Sequence, residues 1–163
     1  MAGRTSGAGS SVGWLLRAAP VPGLALTQWD GSPDGAAELA VGLAWDVVHT
    51  RIMLGLEALD ILRYGGAVGP ALVCVPEALV SVLVPVGSAE RWPGFGPAPL
   101  GVSALGPGGR LRVPLPRQSY GPLHWLIPPD GSGLLTDPRR LYLALRKARV
   151  TTIGARVGTG PAA

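Results

Sequence analysis

A chain of 163 residues, 47 % of them hydrophobic and with a formal net charge of +4, has the size of one domain and enough apolar side chains to bury a core. A single cysteine excludes an intramolecular disulfide and a cysteine-based metal site. Because the Gly- and Ser-rich start lacks the apolar segment of a secretion signal, we predict a cytoplasmic protein.

The first third of the chain is predicted to alternate between loops and regular elements. Residues 1–12 are rich in Gly and Ser and are predicted to form a disordered tail. A short strand is predicted at 24–29, and the alternating apolar residues of 38–50 predict a strand with both faces covered. The apolar positions of 51–64 recur with helical spacing, and Gly65 follows as a helix stop.

Short strands dominate the middle of the chain. Residues 71–75 and 79–84 predict a hairpin around Pro76. The surrounding apolar run has nearly transmembrane length, but it contains prolines and Glu77, so we predict no membrane span. A loop is predicted at 91–99. Further predicted elements are a strand pair around the GPGG sequence, at 102–105 and 110–113, and a last strand at 124–127.

The carboxyl-terminal element is predicted to be a basic helix. Asp137 has the residue type of an N-cap and Pro138 suits the first helical position, so the helix is predicted to run from there to about Arg149. The folded domain is thus predicted to cover residues 13–149, with a flexible tail over 150–163. Together these elements predict one α+β domain.

Asp46 is the first of two features with possible chemistry. It is a carboxylate within an apolar strand, so it is expected to have a partner at the strand end or in a pocket. The two histidines lack the spacing of a metal motif, and the glycine-rich segments lack the pattern of a phosphate loop. We therefore predict no metal site, no cofactor and no enzymatic activity.

The second feature is the basic carboxyl-terminal part. Residues 1–99 contain five basic and eight acidic residues, a net −3, whereas residues 100–163 contain nine basic and two acidic residues, a net +7. Such a charge attracts DNA or RNA, although a solvated arginine-rich face is an equally good interpretation. The candidate nucleic-acid-binding residues are Arg110, Arg112, Arg117, Arg139, Arg140, Arg146 and Lys147.

Aromatic residues in proline-rich segments support a different hypothesis. Trp29, Trp92 and Phe95 lie where loops are predicted, and exposed aromatic rings there would suit a protein partner. In that case the chain would be a protein–protein adaptor. The alternative is that these rings cover the ends of the core.

The order of these elements resembles the bifunctional DNA primase/polymerase (PrimPol-like) amino-terminal domain, in its short standalone actinobacterial versions. The resemblance covers about residues 38–145 and rests on AWDV, LVSVLVP, GVSALGPGGRLRVPLP and GPLHWLIPPDGSG. It implies an RRM-related, mixed or antiparallel sheet backed by helices, with an acidic site on one face.

The departures from that family pattern concern its catalytic residues. Active members carry a second acidic residue two positions after the first, where this chain has Val48, and a histidine on the hairpin strand, where this chain has none. One carboxylate cannot hold the two metal ions of polymerisation. The resemblance therefore implies a catalytically inactive relative with a nucleic-acid-associated or transcription-regulatory role and Asp46 as a vestigial catalytic residue. Residual primase/polymerase activity is the remaining alternative.

Overall fold

The computed structural model describes residues 7–157, and side chains over 11–154. The described part is a single α+β domain, as predicted, with a five-stranded and a two-stranded sheet, both antiparallel. The helices are α1 (Gly7–Leu16), α2 (Pro22–Gly31), α3 (Ile52–Tyr64), α4 (Ser88–Arg91) and α5 (Pro138–Val157). The strands are β1 (Ala36–Ala40), β2 (Asp46–Arg51), β3 (Ala71–Cys74), β4 (Leu79–Val84), β5 (Val102–Leu105), β6 (Arg110–Pro114) and β7 (Leu123–Ile127).

The five-stranded sheet has the order β5-β2-β4-β3-β7 and forms the middle layer. One face carries Val47, Leu72 and Trp125 and packs against α1, α2 and the β1–β6 pair. The other face carries Val48 and Val82 and packs against α3 and α5. Strand residues that alternate between two buried faces explain why the strands are apolar throughout.

Several predicted elements are confirmed. The helix predicted at 51–64 is α3, the predicted hairpin is the antiparallel pair β3–β4, and the last predicted strand is β7. The Asp137 Oδ1 accepts a hydrogen bond of 2.8 Å from the Arg140 backbone N–H, so Asp137 caps α5 as predicted. No helix over residues 7–157 is long and apolar enough to cross a membrane.

Two strand predictions were wrong near the amino terminus. Residues 24–29 belong to α2, because Ala25 and Trp29, four residues apart, are the positions that face the core, and Pro22 suits the first helical turn. The strand predicted at 38–50 is split into β1 and β2. Gly42 has φ +94° in the intervening turn, a conformation that favours glycine, and its N–H donates to the Trp45 carbonyl.

The strand pair predicted around GPGG was also wrong in its pairing. The strand β5 pairs with β2, whereas β6 leaves the five-stranded sheet and pairs with β1. Gly108 has φ +90° in the connection and lets the chain change direction. The β6 strand then buries Leu111 and Val113 against the core, which stabilises its position beside β1.

The structure also differs from prediction at the chain ends and at 91–99. Residues 7–12 lie in α1, whose Trp14 and Leu15 pack into the core, and residues 150–157 continue α5. The hydroxyls of Thr151 and Thr152 donate to carbonyls four residues earlier, which suits this extension. The predicted loop at 91–99 begins with the end of α4 and a 3-10 turn over Trp92–Phe95. The rest of the two predicted tails, 1–6 and 158–163, lies outside the described residues.

Candidate functional site

Asp46 is completely buried at the start of β2, and its carboxylate holds a distant segment of the chain. Its Oδ2 accepts hydrogen bonds from the backbone N–H groups of Gly87, at 2.9 Å, and Ala89, at 3.0 Å. These groups belong to the start of α4, where backbone N–H groups lack partners within the helix. A partner for Asp46 at the strand end was predicted, and the two N–H groups that its carboxylate caps at the start of α4 are that partner.

A metal site at Asp46 would need further ligands close by. Within residues 7–157 there is no group of three or more His, Cys, Asp or Glu residues that could hold a metal ion. The second oxygen, Oδ1, is buried and has no hydrogen-bond partner among the described residues. The contacts of Asp46 therefore describe a carboxylate that anchors α4 to β2.

The predicted basic residues of β6 share its exposed face, as the spacing of two indicated, but both are paired with carboxylates. Arg110 contacts Glu38 on β1 at 3.1 Å. Arg112 donates to both oxygens of the Asp34 carboxylate, through Nε to Oδ2 at 3.0 Å and through Nη2 to Oδ1 at 2.6 Å. The hydrogen bond from Arg112 lowers the pKa of Asp34 and raises that of Arg112. Most of the positive charge of β6 is therefore offset by its neighbours.

The basic residues of α5 have different surroundings. Arg139, Arg146 and Lys147 are exposed, and the ion pairs found within the described part of the chain do not include them. The Arg146 guanidinium lies 5.9 Å from the centre of the Tyr142 ring, within reach of a cation–π contact. Arg140 is held by the backbone instead. It donates to the carbonyls of Leu62 and Ala67, each at 3.2 Å, and so caps the end of α3.

These two groups of cations lie on opposite sides of the molecule. The strand β6 packs on the face of the five-stranded sheet that carries Val47, together with α1 and α2, whereas α5 packs on the face that carries Val48. Arg117 is exposed in the loop that follows β6. The predicted basic residues are therefore divided between elements that pack on the two faces of the central sheet.

The aromatic side chains proposed as an exposed partner surface lie mainly in the core. Trp29 is 6 % exposed, and its Nε1 donates to the Val113 carbonyl at 2.7 Å. Trp92 is 3 % exposed and contacts the rings of Phe95 and Tyr142 edge to face, at centroid distances of 6.0 and 5.7 Å. Phe95 is partly buried against the same cluster. Of the two interpretations, the structure therefore favours the one in which these rings cover the core, where burial of their apolar area stabilises the fold.

A polar pair on the central sheet was missed by sequence reasoning. His49 on β2 lies opposite Ser81 on β4, and the His49 Nδ1 is 2.8 Å from the Ser81 hydroxyl. The pair lies in a groove of about 410 Å³ between the sheet and β6. Each residue lies between core residues on its own strand, and this is the signal that the sequence offers for a polar site. The register of β2 and β4 is needed to show that the two side chains meet.

Burial gives His49 a testable pH dependence. Desolvation lowers the pKa of His49 below its ordinary value of 6.5. The unfolded chain therefore binds this proton before the folded chain does, and the stability due to neutral His49 is lost as the pH falls below about 6.5. We expect the free energy of unfolding, measured in urea, to fall less between about pH 7.5 and about pH 5.5 for His49→Gln than for the unchanged protein. Equal pH dependence of the two proteins would contradict this.

Comparison of the chain with protein-family models, with curated proteins and with solved structures found no match in any of the three.

Proposed function

We propose that this chain is a PrimPol-related domain without polymerase activity that binds DNA or RNA through α5. The α5 basic face consists of Arg139, Arg146 and Lys147, three exposed cations without a carboxylate partner among the described residues. This single observation carries the proposal. Exposed cations that are not already neutralised are free to replace the counterions of a polyanion.

The geometry of the α5 basic face suits a phosphate backbone. At 100° per residue, Arg139, Arg146 and Lys147 fall within an arc of about 100° on the helix surface. Arg139 and Lys147 are about 12 Å apart along the helix axis, a length over which one strand of DNA presents about three phosphates. The Tyr142 ring, 5.9 Å from the Arg146 guanidinium, adds a cation–π contact to this face.

Two observations support the inactive-relative part of the proposal. The Asp46 carboxylate, which the family resemblance would make catalytic, accepts two hydrogen bonds from the start of α4. The five-stranded antiparallel sheet, with α3 and α5 on one face, is compatible with a sheet backed by helices. With DNA as the bound nucleic acid, the proposed role is transcription-regulatory.

The salt dependence of binding tests the α5 basic face. We expect the affinity for a labelled single-stranded oligonucleotide to fall steeply between about 50 mM and about 200 mM salt. The triple variant Arg139→Gln, Arg146→Gln, Lys147→Gln loses three phosphate contacts, so the slope of log affinity against log salt should decrease in magnitude by about 2. Fluorescence anisotropy over a salt series measures both quantities.

A second triple variant, with Arg17, Arg110 and Arg117 changed to Gln, is the matched control. It removes the same number of charges, but from exposed side chains on the other side of the central sheet. The control should keep the original slope. If both triple variants lose the same affinity, overall charge and not the α5 basic face is responsible. Absence of binding at low salt would overturn the proposed function.

A further inference from the structure

The groove that holds His49 and Ser81 is a second candidate site, on the side of the central sheet away from α5. Among the residues that line it are Leu72 on β3, Leu111 on β6 and Leu123 on β7, here called the leucine floor. The volume of about 410 Å³ falls within the range of small-molecule sites. This leucine floor favours a ligand with an apolar body, and the polar side chains that also line the groove favour a polar head group.

The polar groups within the groove are largely satisfied by one another. The His49 Nδ1 is engaged by Ser81, and both Arg112 nitrogens that face Asp34 are used in the bidentate pair. The lowered pKa of His49 agrees with a poorly hydrated floor. Leu72 is 1 % exposed and Leu111 and Leu123 are each 8 % exposed, so a ligand at this floor gains chiefly by removing its own apolar surface from water.

Arg110 at the rim is the exception. Its guanidinium has five N–H donors, and one contact, through Nη1 to Glu38, is its ion pair. Glu38 is not among the residues that line the groove, whereas Arg110 is. Arg110 can therefore turn its remaining donors toward an anion held at the mouth of the groove.

We propose that this groove binds a small amphipathic carboxylate, with its apolar body on the leucine floor and its carboxylate at Arg110. The ligand would complement the groove in two ways: its carboxylate would face the Arg110 guanidinium, and its apolar body would lie on the leucine floor. The carboxylates of Asp34 and Glu77 also line the groove and disfavour a second anionic group on the ligand. The ligand is thus a monoanion, and this inference is independent of nucleic-acid binding by α5.

The only thiol of the chain provides the readout. Cys74 lines the same groove and is partly exposed, so its alkylation by iodoacetamide reports occupancy of the groove. Octanoate, octanol and octylamine share one apolar tail and differ in head group. We expect octanoate to slow the alkylation of Cys74 at concentrations about five times lower than octanol, and octylamine to protect least. Equal protection by all three compounds, or none by octanoate, would overturn the proposal.

Two variants of the same ion pair separate binding from stability. Arg110→Gln and Glu38→Gln both remove the exposed contact between these side chains, so they share its small effect on folding. Arg110→Gln should weaken the protection by octanoate about fivefold, because it removes the cation. Glu38→Gln should strengthen it, because it releases the Arg110 donors. A change in the same direction in both variants would contradict the assignment of the carboxylate to Arg110.

Discussion

The Asp46→Ala variant is expected to lose about 3 kcal/mol of the free energy of unfolding, measured by urea denaturation. The carboxylate is fully buried and accepts hydrogen bonds from Gly87 and Ala89. Alanine leaves both N–H groups without this acceptor and releases α4 from β2. A hydrogen bond to a charged group contributes about 1.5–3 kcal/mol, and an unsatisfied buried donor costs a similar amount.

Two further variants make this test specific. Asp46→Asn keeps a side-chain oxygen for the two N–H groups and should lose about half as much stability. Asp60→Ala changes an exposed carboxylate on α3 and should alter the free energy of unfolding by no more than about 0.5 kcal/mol. A different result would favour catalysis: if Asp46→Asn keeps full stability but abolishes a Mg²⁺- or Mn²⁺-dependent primer synthesis by the unchanged protein, Asp46 is a working metal ligand.

Trp92→Ala is expected to be the most destabilising change, by about 4 kcal/mol. The ring is buried between Phe95 and Tyr142, and its removal leaves a cavity under the 3-10 turn. The cluster also joins α5 to the segment that follows this turn, because the Tyr142 hydroxyl donates to the Pro97 carbonyl at 2.7 Å. Thermal and urea unfolding measure the loss.

The matched variants distinguish a core ring from a partner-binding ring. The Trp92 Nε1 has no hydrogen-bond partner among the described residues, so Trp92→Phe loses only ring area and should cost about 1.5 kcal/mol. Tyr120, which is 81 % exposed, is the surface control, and Tyr120→Ala should change stability by about 0.5 kcal/mol or less. If Trp92→Ala left the free energy of unfolding unchanged but abolished binding to a protein partner, the adaptor hypothesis would be supported instead.

The sequence predicts those elements whose signals are local. The helix α3 has regular apolar spacing and a following glycine, the β3–β4 hairpin lies around a proline turn, and Asp137 with Pro138 marks the start of α5. In each case the residues that determine the element lie within it or next to it. The strand prediction at 24–29 failed because Leu24 and Leu26 alternate as in a strand. In the structure these residues are helical, and Ala25 and Trp29 are the side chains buried in the core.

The site could be predicted only in part, because its contacts join distant residues. A partner for Asp46 follows from the cost of burying a carboxylate, but Gly87 and Ala89 are more than 40 positions away. The pairing of His49 with Ser81 depends on the register of two strands. The positive charge of the carboxyl-terminal part was evident from the sequence. Which of its arginines are paired with carboxylates was not, because the pairing of β6 with β1 brings Glu38 and Asp34 to Arg110 and Arg112.

Mapping the backbone amides during titration with single-stranded DNA tests the α5 basic face most directly. The ¹⁵N-labelled protein at low salt should show its largest chemical-shift changes along the outer side of α5, around Arg139, Leu143, Arg146 and Lys147, and they should decline as salt is added. Shifts that instead cluster on β6 around Arg110 and Arg112, or no shifts at all at low salt, would contradict the proposal that α5 binds nucleic acid.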